Sequence, residues 1–156
     1  MKRSRDIIGL PVVDLKEGKS LGRVQQLIVN PLTRKVDALE VGERAFLQTK
    51  TEVILYEKIR SIGNDVVTVL ELEAVEQNRQ SAKREQPLKR QLIGTHVITI
   101  DGTLAGNVGD YSFNPHDGML AEIFLITEKP RSYIAFPISM VERFGQDFII
   151  VKANYT

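Results

Sequence analysis

Ile8-Gly9-Leu10-Pro11-Val12 and Ile93-Gly94-Thr95-His96-Val97 open two copies of one pattern. Gly22-Arg23-Val24 returns as Gly106-Asn107-Val108, Asn30-Pro31 as Asn114-Pro115, and Gly63-Asn64-Asp65 as Gly145-Gln146-Asp147. The offset drifts only from 85 at Gly9/Gly94 to 82 at Gly63/Gly145, the size of a loop deletion and not of a change in architecture. The 156 residues therefore read as two diverged units. Units of roughly 60 to 70 residues bury only about 60% of the surface their unfolded chains expose, so each needs the other to pack against. What the copies share is glycine, proline and apolar residues, which build a fold rather than run a reaction.

Both copies read as β. Short runs rich in Val, Ile, Leu and Phe alternate with turn residues: Leu10–Leu15, Leu21–Val29, Val36–Val41, Ala45–Leu55 and Val66–Leu72, then His96–Ile100, Leu104–Phe113, Leu120–Thr127, Tyr133–Phe136 and Phe148–Lys152. Glu17-Gly18 and Asp101-Gly102 occupy the same first turn, and Asn30-Pro31 and Asn114-Pro115 the second. Apolar residues fall at Val24, Leu27 and Val29, and again at Val108, Tyr111 and Phe113. A step of three followed by two breaks strict alternation at the same place in both copies, which predicts a β-bulge there. Gly22 and Gly106 stand just upstream, where a bent strand needs a residue without Cβ. Short, bent strands of this kind curl into small barrels of five or six strands, with these apolar residues as core.

Between the copies, 73–90 is polar and charged and reads equally as flexible linker or short solvated helix. The expected division is a first barrel over 1–72, a linker over 73–90 and a second barrel over 91–156. There is no cysteine, which removes disulfides and thiolate metal sites. The apolar stretch after Met1-Lys2-Arg3-Ser4-Arg5-Asp6 is broken by Gly9, Pro11 and Asp14, and no window approaches the roughly 20 apolar residues that span a bilayer. A cytoplasmic protein without membrane insertion is the expectation. Net charge is only +1, yet 93–156 holds 4 basic and 7 acidic residues against 12 and 10 in 1–72. The copies have thus diverged in sign.

Ile8-Gly9-Leu10-Pro11-Val12-Val13-Asp14, Gly22-Arg23-Val24, Asn30-Pro31 and Ile59-x-x-Ile62-Gly63-x-Asp65-Val66-Val67 together resemble a PRC-barrel domain, and the second copy does so through Phe136-Pro137-Ile138, Val141 and Gly145-x-Asp147. The resemblance covers nearly the whole chain outside the linker. It implies one compact, strongly bent barrel per copy, of the kind found in the cytoplasmic part of the H subunit of photosynthetic reaction centres and in one domain of a ribosome maturation factor. It carries no common catalytic residue.

The residues themselves offer little chemistry. His116 and Asp117, with Asp110, have the donor types of a zinc or iron site, but His116 has no histidine neighbour at ligand spacing and an exposed turn histidine is the stronger reading. Ser112, Ser132 and Ser139 lie in no nucleophile elbow. Gly102, Gly106 and Gly109 recur as in a phosphate loop, but with the wrong spacing and at a hairpin. No enzymatic role, cofactor or metal is expected. Lys2, Arg3 and Arg5, with Arg79, Lys83, Arg84, Lys89 and Arg90 of the linker, could meet phosphates, but no aromatic residue is interleaved for base stacking.

The expectation is a non-enzymatic protein-binding or regulatory adaptor module with an unknown protein as partner, a second copy of the chain being one option. The alternative is an RNA-associated or ribosome-assembly factor using the basic linker. The third connection is longer in the first copy, 13 steps from Val41 to Ile54 against 11 from Leu125 to Phe136. Gly42, Glu43 and Arg44, and Glu128, Lys129 and Arg131, are therefore read as unequal loops and as the candidate partner contacts.

Overall fold

A computed structural model describes residues 1–44, 49–70, 91–128 and 130–156. Positions 45–48, the stretch 71–90 that includes the whole linker and its basic residues, and Lys129 lie outside the described residues. The first copy forms β2 (Pro11–Asp14), β3 (Lys19–Asn30), β4 (Lys35–Arg44), β5 (Thr49–Leu55), β6 (Ile59–Ile62) and β7 (Val67–Val69). The second forms β8 (His96–Thr99), β9 (Leu104–Phe113), β10 (Leu120–Glu128), β11 (Arg131–Pro137), β12 (Val141–Phe144) and β13 (Phe148–Val151). A short β1 (Lys2–Arg3) and a one-turn α1 (Ser4–Ile7) precede them. The fold is all-β, as expected.

The sheets have the same order, β5-β4-β3-β2-β7-β6 and β11-β10-β9-β8-β13-β12. Neighbours are antiparallel except for β2 with β7 and β8 with β13, which are parallel, at Val12↔Val67 and Val97↔Ile149. These parallel pairs bring the start and end of each copy together and curl the sheet into a barrel-like half-shell, whose hydrogen-bonded path stays open between its end strands.

Bulges supply the curvature, and they recur at matched places. Gln25 is the unpaired residue between Val24 and Gln26, and Gly109 between Val108 and Asp110. Leu21 in β3 and Ala105 in β9 repeat the pattern, as do Asp37 in β4 and Ala121 in β10. Each extra residue resets which side chains face inward. Val24, Leu27, Val29, Val108, Tyr111 and Phe113 are accordingly all buried. Gly22 and Gly106 occupy the bends at positive φ. A Cβ at Gly22 would stand 2.9 Å from the carbonyl carbon of Gly42, and one at Gly106 only 2.2 Å from the Ile126 oxygen.

Gly42, Glu43 and Arg44 are not a loop. They pair within β4 to Thr51, Lys50 and Thr49, and Gly42 is buried beneath Gly22. The strand runs on through Gly42, whose backbone lies against Gly22, so this glycine sits within a paired strand and not at a turn. Glu128 and Arg131 likewise end and begin strands and pair with each other. The sequence reading also missed β6 and β12, four-residue strands that each contain a bulge.

The copies meet through backbone. Val36 N–H donates to Gly118 O at 2.9 Å and Leu120 N–H to Arg34 O at 3.0 Å, flanking an antiparallel bridge between Lys35 and Met119. Each partner lies 84 residues from its counterpart, so a local pseudo-two-fold axis passes through this bridge. The buried apolar side chains of both copies form one cluster, with Ile7 and its equivalent Leu92 both fully enclosed.

The amino-terminal segment crosses to the second sheet. β1 pairs with β9 at Lys2↔Phe113 and Arg3↔Ser112. Asp110, buried in β9, accepts from Arg3 Nε at 2.8 Å, from the Ser4 hydroxyl and from the Tyr111 amide at 2.9 Å, with Arg5 Nε 3.5 Å away. The Arg3 guanidinium also lies 3.9 Å from the Phe124 ring centre. Charge-assisted bonds to a buried carboxylate are stronger than neutral ones, which makes Asp110 the anchor of the segment.

Two outcomes follow for stability. Gly106→Ala should cost on the order of 3 kcal/mol or more in urea denaturation, because the Cβ overlaps backbone, whereas Gly102→Ala, at φ +89 with open space around it, should cost only the left-handed backbone term of about 1–2 kcal/mol. Asp110→Ala should cost about 2–3 kcal/mol, since it leaves the buried Ser4 hydroxyl without its acceptor, and clearly more than Arg3→Ala, whose side chain is partly solvated. Equal losses for Asp110→Ala and Arg3→Ala would show that the carboxylate is not the anchor.

A candidate binding cleft between the barrels

The turn Asn114-Pro115-His116-Asp117-Gly118 is built by local hydrogen bonds. The Asn114 side-chain oxygen accepts His116 N–H at 2.9 Å, and Gly118 N–H returns to Asn114 O at 2.8 Å. Asn30-Pro31-Leu32-Thr33-Arg34 makes the same two bonds, from Leu32 N–H and Arg34 N–H, both at 2.9 Å. Both turns end in a left-handed residue, Arg34 at φ 58 and Gly118 at φ 78. Asparagine starts the turn through its side-chain acceptor, and proline stops the preceding strand.

The second turn reaches over the first copy and, with it, frames a cleft of about 750 Å³. One wall is the start of β4 with Lys35 and Asp37. The floor is the 3-10 turn Tyr56–Lys58 and β6 from Ile59 to Ile62, and the far wall is Pro115, His116 and Asp117. Tyr56 anchors the junction. Its hydroxyl donates to Pro115 O at 2.6 Å, and its ring meets the buried Phe113 edge-on at 6.3 Å. Burial, and secondarily the negative Asp117, push the Tyr56 hydroxyl up to about 12. Burial first and Asp110 second likewise push Tyr111 upward.

The donor residues weighed for a metal and the residues read as partner contacts lie in different parts of the fold. Asp110 is committed to the amino-terminal segment, while His116 and Asp117 are exposed on the turn, with Asp117 Oδ1 accepting Met119 N–H at 2.9 Å. Among the described residues no three metal-ligating side chains converge. Glu128 and Arg131 are exposed at the end of the β10–β11 hairpin and Glu43 is exposed near the end of β4, and none of the three lines the cleft. Lys2, Arg3 and Arg5 are engaged internally, Lys2 with Asn64 at 2.9 Å and both arginines with Asp110. Tyr56, Arg60 and Arg34 were missed by sequence reasoning. The available signal was the mismatch of Arg34 with Gly118 at the ends of otherwise matched turns.

The tyrosine gives a pH prediction. The folded chain keeps a proton that the unfolded chain releases near pH 10, so stability is fully present below that value and falls as pH rises toward 12. Tyr56→Phe should cost about 1 kcal/mol at neutral pH through loss of the Pro115 bond. The gap between variant and parent should then narrow in denaturant titrations above pH 10, because only the parent loses stability through this group. A constant gap would contradict the account.

Among the described residues no helix is long and apolar enough to cross a membrane. A search of curated proteins gave no match. The family model of the PRC-barrel domain matches twice, over residues 1–76 and 88–156. With sheets of identical order, matched bulges and a match over nearly its full length, the chain belongs to the PRC-barrel family, as a tandem of two copies.

Proposed function

We infer that this tandem PRC-barrel protein is a non-enzymatic binding module whose partner is a protein that engages the cleft between its barrels. The observation that carries this reading is the cleft itself, which both copies build and which their junction holds rigid through Tyr56 and the Lys35–Met119 bridge. Its walls mix Lys35, Asp37, Glu57, Arg60 and Asp117 with Ile59 and Ile62. Small-molecule pockets are lined mainly by apolar groups with a few polar ones, whereas alternating charge over a partly apolar floor suits a protein surface. Several of its polar groups already serve the fold, Tyr56 bonding Pro115 and Asp37 accepting from Asn30 at 3.1 Å, which supports binding over catalysis.

The RNA-associated reading rests on the linker basics alone, since Lys2, Arg3 and Arg5 have partners within the fold. The exposed end of the β10–β11 hairpin, with Glu128 and Arg131, is a second surface open to a partner.

Affinity capture from the native cell separates these readings. Glu57→Lys combined with Arg60→Glu should abolish capture while changing stability by only about 0.5 kcal/mol, because both side chains are exposed. Glu128→Lys with Arg131→Glu should leave capture intact. The opposite pattern would place the site on the hairpin, and capture that disappears on nuclease treatment or in high salt would favour RNA.

A further inference from the structure

Arg34 and Gly118 end equivalent turns, and their difference leaves one of two matched places unfilled. From the first copy, Arg34 crosses the pseudo-two-fold axis. Its Nη1 donates to Ile138 O at 3.3 Å and its Nη2 to Val141 O at 2.9 Å, while the guanidinium lies 5.5 Å from the Phe144 ring centre. Its targets are the 3-10 turn Ile138–Met140 and the start of β12. Their counterparts in the first copy, at the offset of 82, are Tyr56, Ile59 and Ile62, within the 3-10 turn Tyr56–Lys58 and β6. All three line the cleft.

The two 3-10 turns are closed alike, by Val141 N–H on Ile138 O and by Ile59 N–H on Tyr56 O. A carbonyl oxygen has two lone pairs, and on Ile138 the second is taken by Arg34. At Gly118 there is no side chain to do the same for Tyr56. The Tyr56 ring lies beside the glycine, where a Cβ on Gly118 would meet it at 3.3 Å, and the cleft lined by Tyr56, Ile59 and Ile62 opens next to it.

We propose that the cleft is an arginine-binding site, receiving from a partner protein the side chain that Arg34 supplies internally at its counterpart. The guanidinium would bond the carbonyls of Tyr56 and Ile59, with its stem over Ile62. The fork of Arg spans two carbonyls at fixed spacing, which the single ammonium of Lys does not. The charge of the walls agrees, with Asp37, Glu57 and Asp117 set against Lys35 and Arg60.

This inference rests on the cleft being the protein-binding site and adds the chemistry of its occupant. The test is amide NMR titration of the full chain with the blocked tripeptide acetyl-Gly-Arg-Gly-amide, and with its Lys counterpart. The Arg peptide should shift the amides of Glu57 and Arg60, which follow the two carbonyls, saturably and at least five-fold more tightly than the Lys peptide. Arg34→Gly should open the counterpart site, so that the Arg peptide then also shifts Ser139 and Glu142 and recovers part of the lost thermal stability. No saturable shift in the parent protein, or equal shifts with Arg and Lys peptides, overturns the proposal whether or not Arg34→Gly folds. If the Arg peptide fails while Glu57→Lys with Arg60→Glu still abolishes capture, the cleft binds a protein whose contact is not arginine. If both fail, the cleft reading falls with it.

Discussion

Two backbone hydrogen bonds related by a local two-fold, Val36 to Gly118 and Leu120 to Arg34, hold the two sheets in register. An antiparallel bridge is the contact two identical turns can make with each other, because each donates what the other accepts. A duplicated domain could use it from the outset, before its copies diverged. Each copy alone is of a size that leaves much of its core uncovered. The bridge, together with the buried cluster that runs through both copies, turns two marginal halves into one core. The Asp110 anchor adds a further tie among the described residues; the equivalent position in the first copy is Gln26, which donates to Glu40 within its own sheet.

Residues that answer to their own strand were legible in the sequence. Val24, Leu27 and Val29 reveal the bulge because apolar spacing must change phase where an extra residue is inserted, and the second copy repeated the evidence. Gly22 and Gly106 were legible for the same local reason. Gly42 was misread because a glycine followed by charges has the composition of a turn, while the strand it pairs with, at Thr51, begins only after the intervening residues. The crossing of Lys2 and Arg3 to the second sheet left no periodic signal, since two residues cannot show one. Its trace was Asp110, a carboxylate in the middle of an otherwise inward-facing run, and that residue drew attention as a metal ligand instead.

The cleft was legible only in part. Its residues sit in three stretches whose meeting depends on the bridge, so no motif could join them. The exchange of Arg34 for Gly118 at the ends of matched turns stood in the sequence but was passed over, and its meaning came from the geometry. Symmetry supplied two equivalent places, and divergence filled one of them from within. The two places share the same backbone geometry, a 3-10 turn leading into a short strand, while their side chains differ, with Ile62 where the second copy has Phe144. The repeat thus bears on function through its mismatches, while its matches account for the fold.

The claim on which the rest stands is that the bridge makes the two copies one cooperative unit. Native-state hydrogen exchange at the amides of Val36 and Leu120 tests it most directly. Both amides should exchange only through global unfolding, with the same opening free energy as the buried amides of Val24 and Val108. Exchange of either bridge amide through a lower-energy opening, or separate opening energies for the two sheets, would show that the barrels fold independently and only touch.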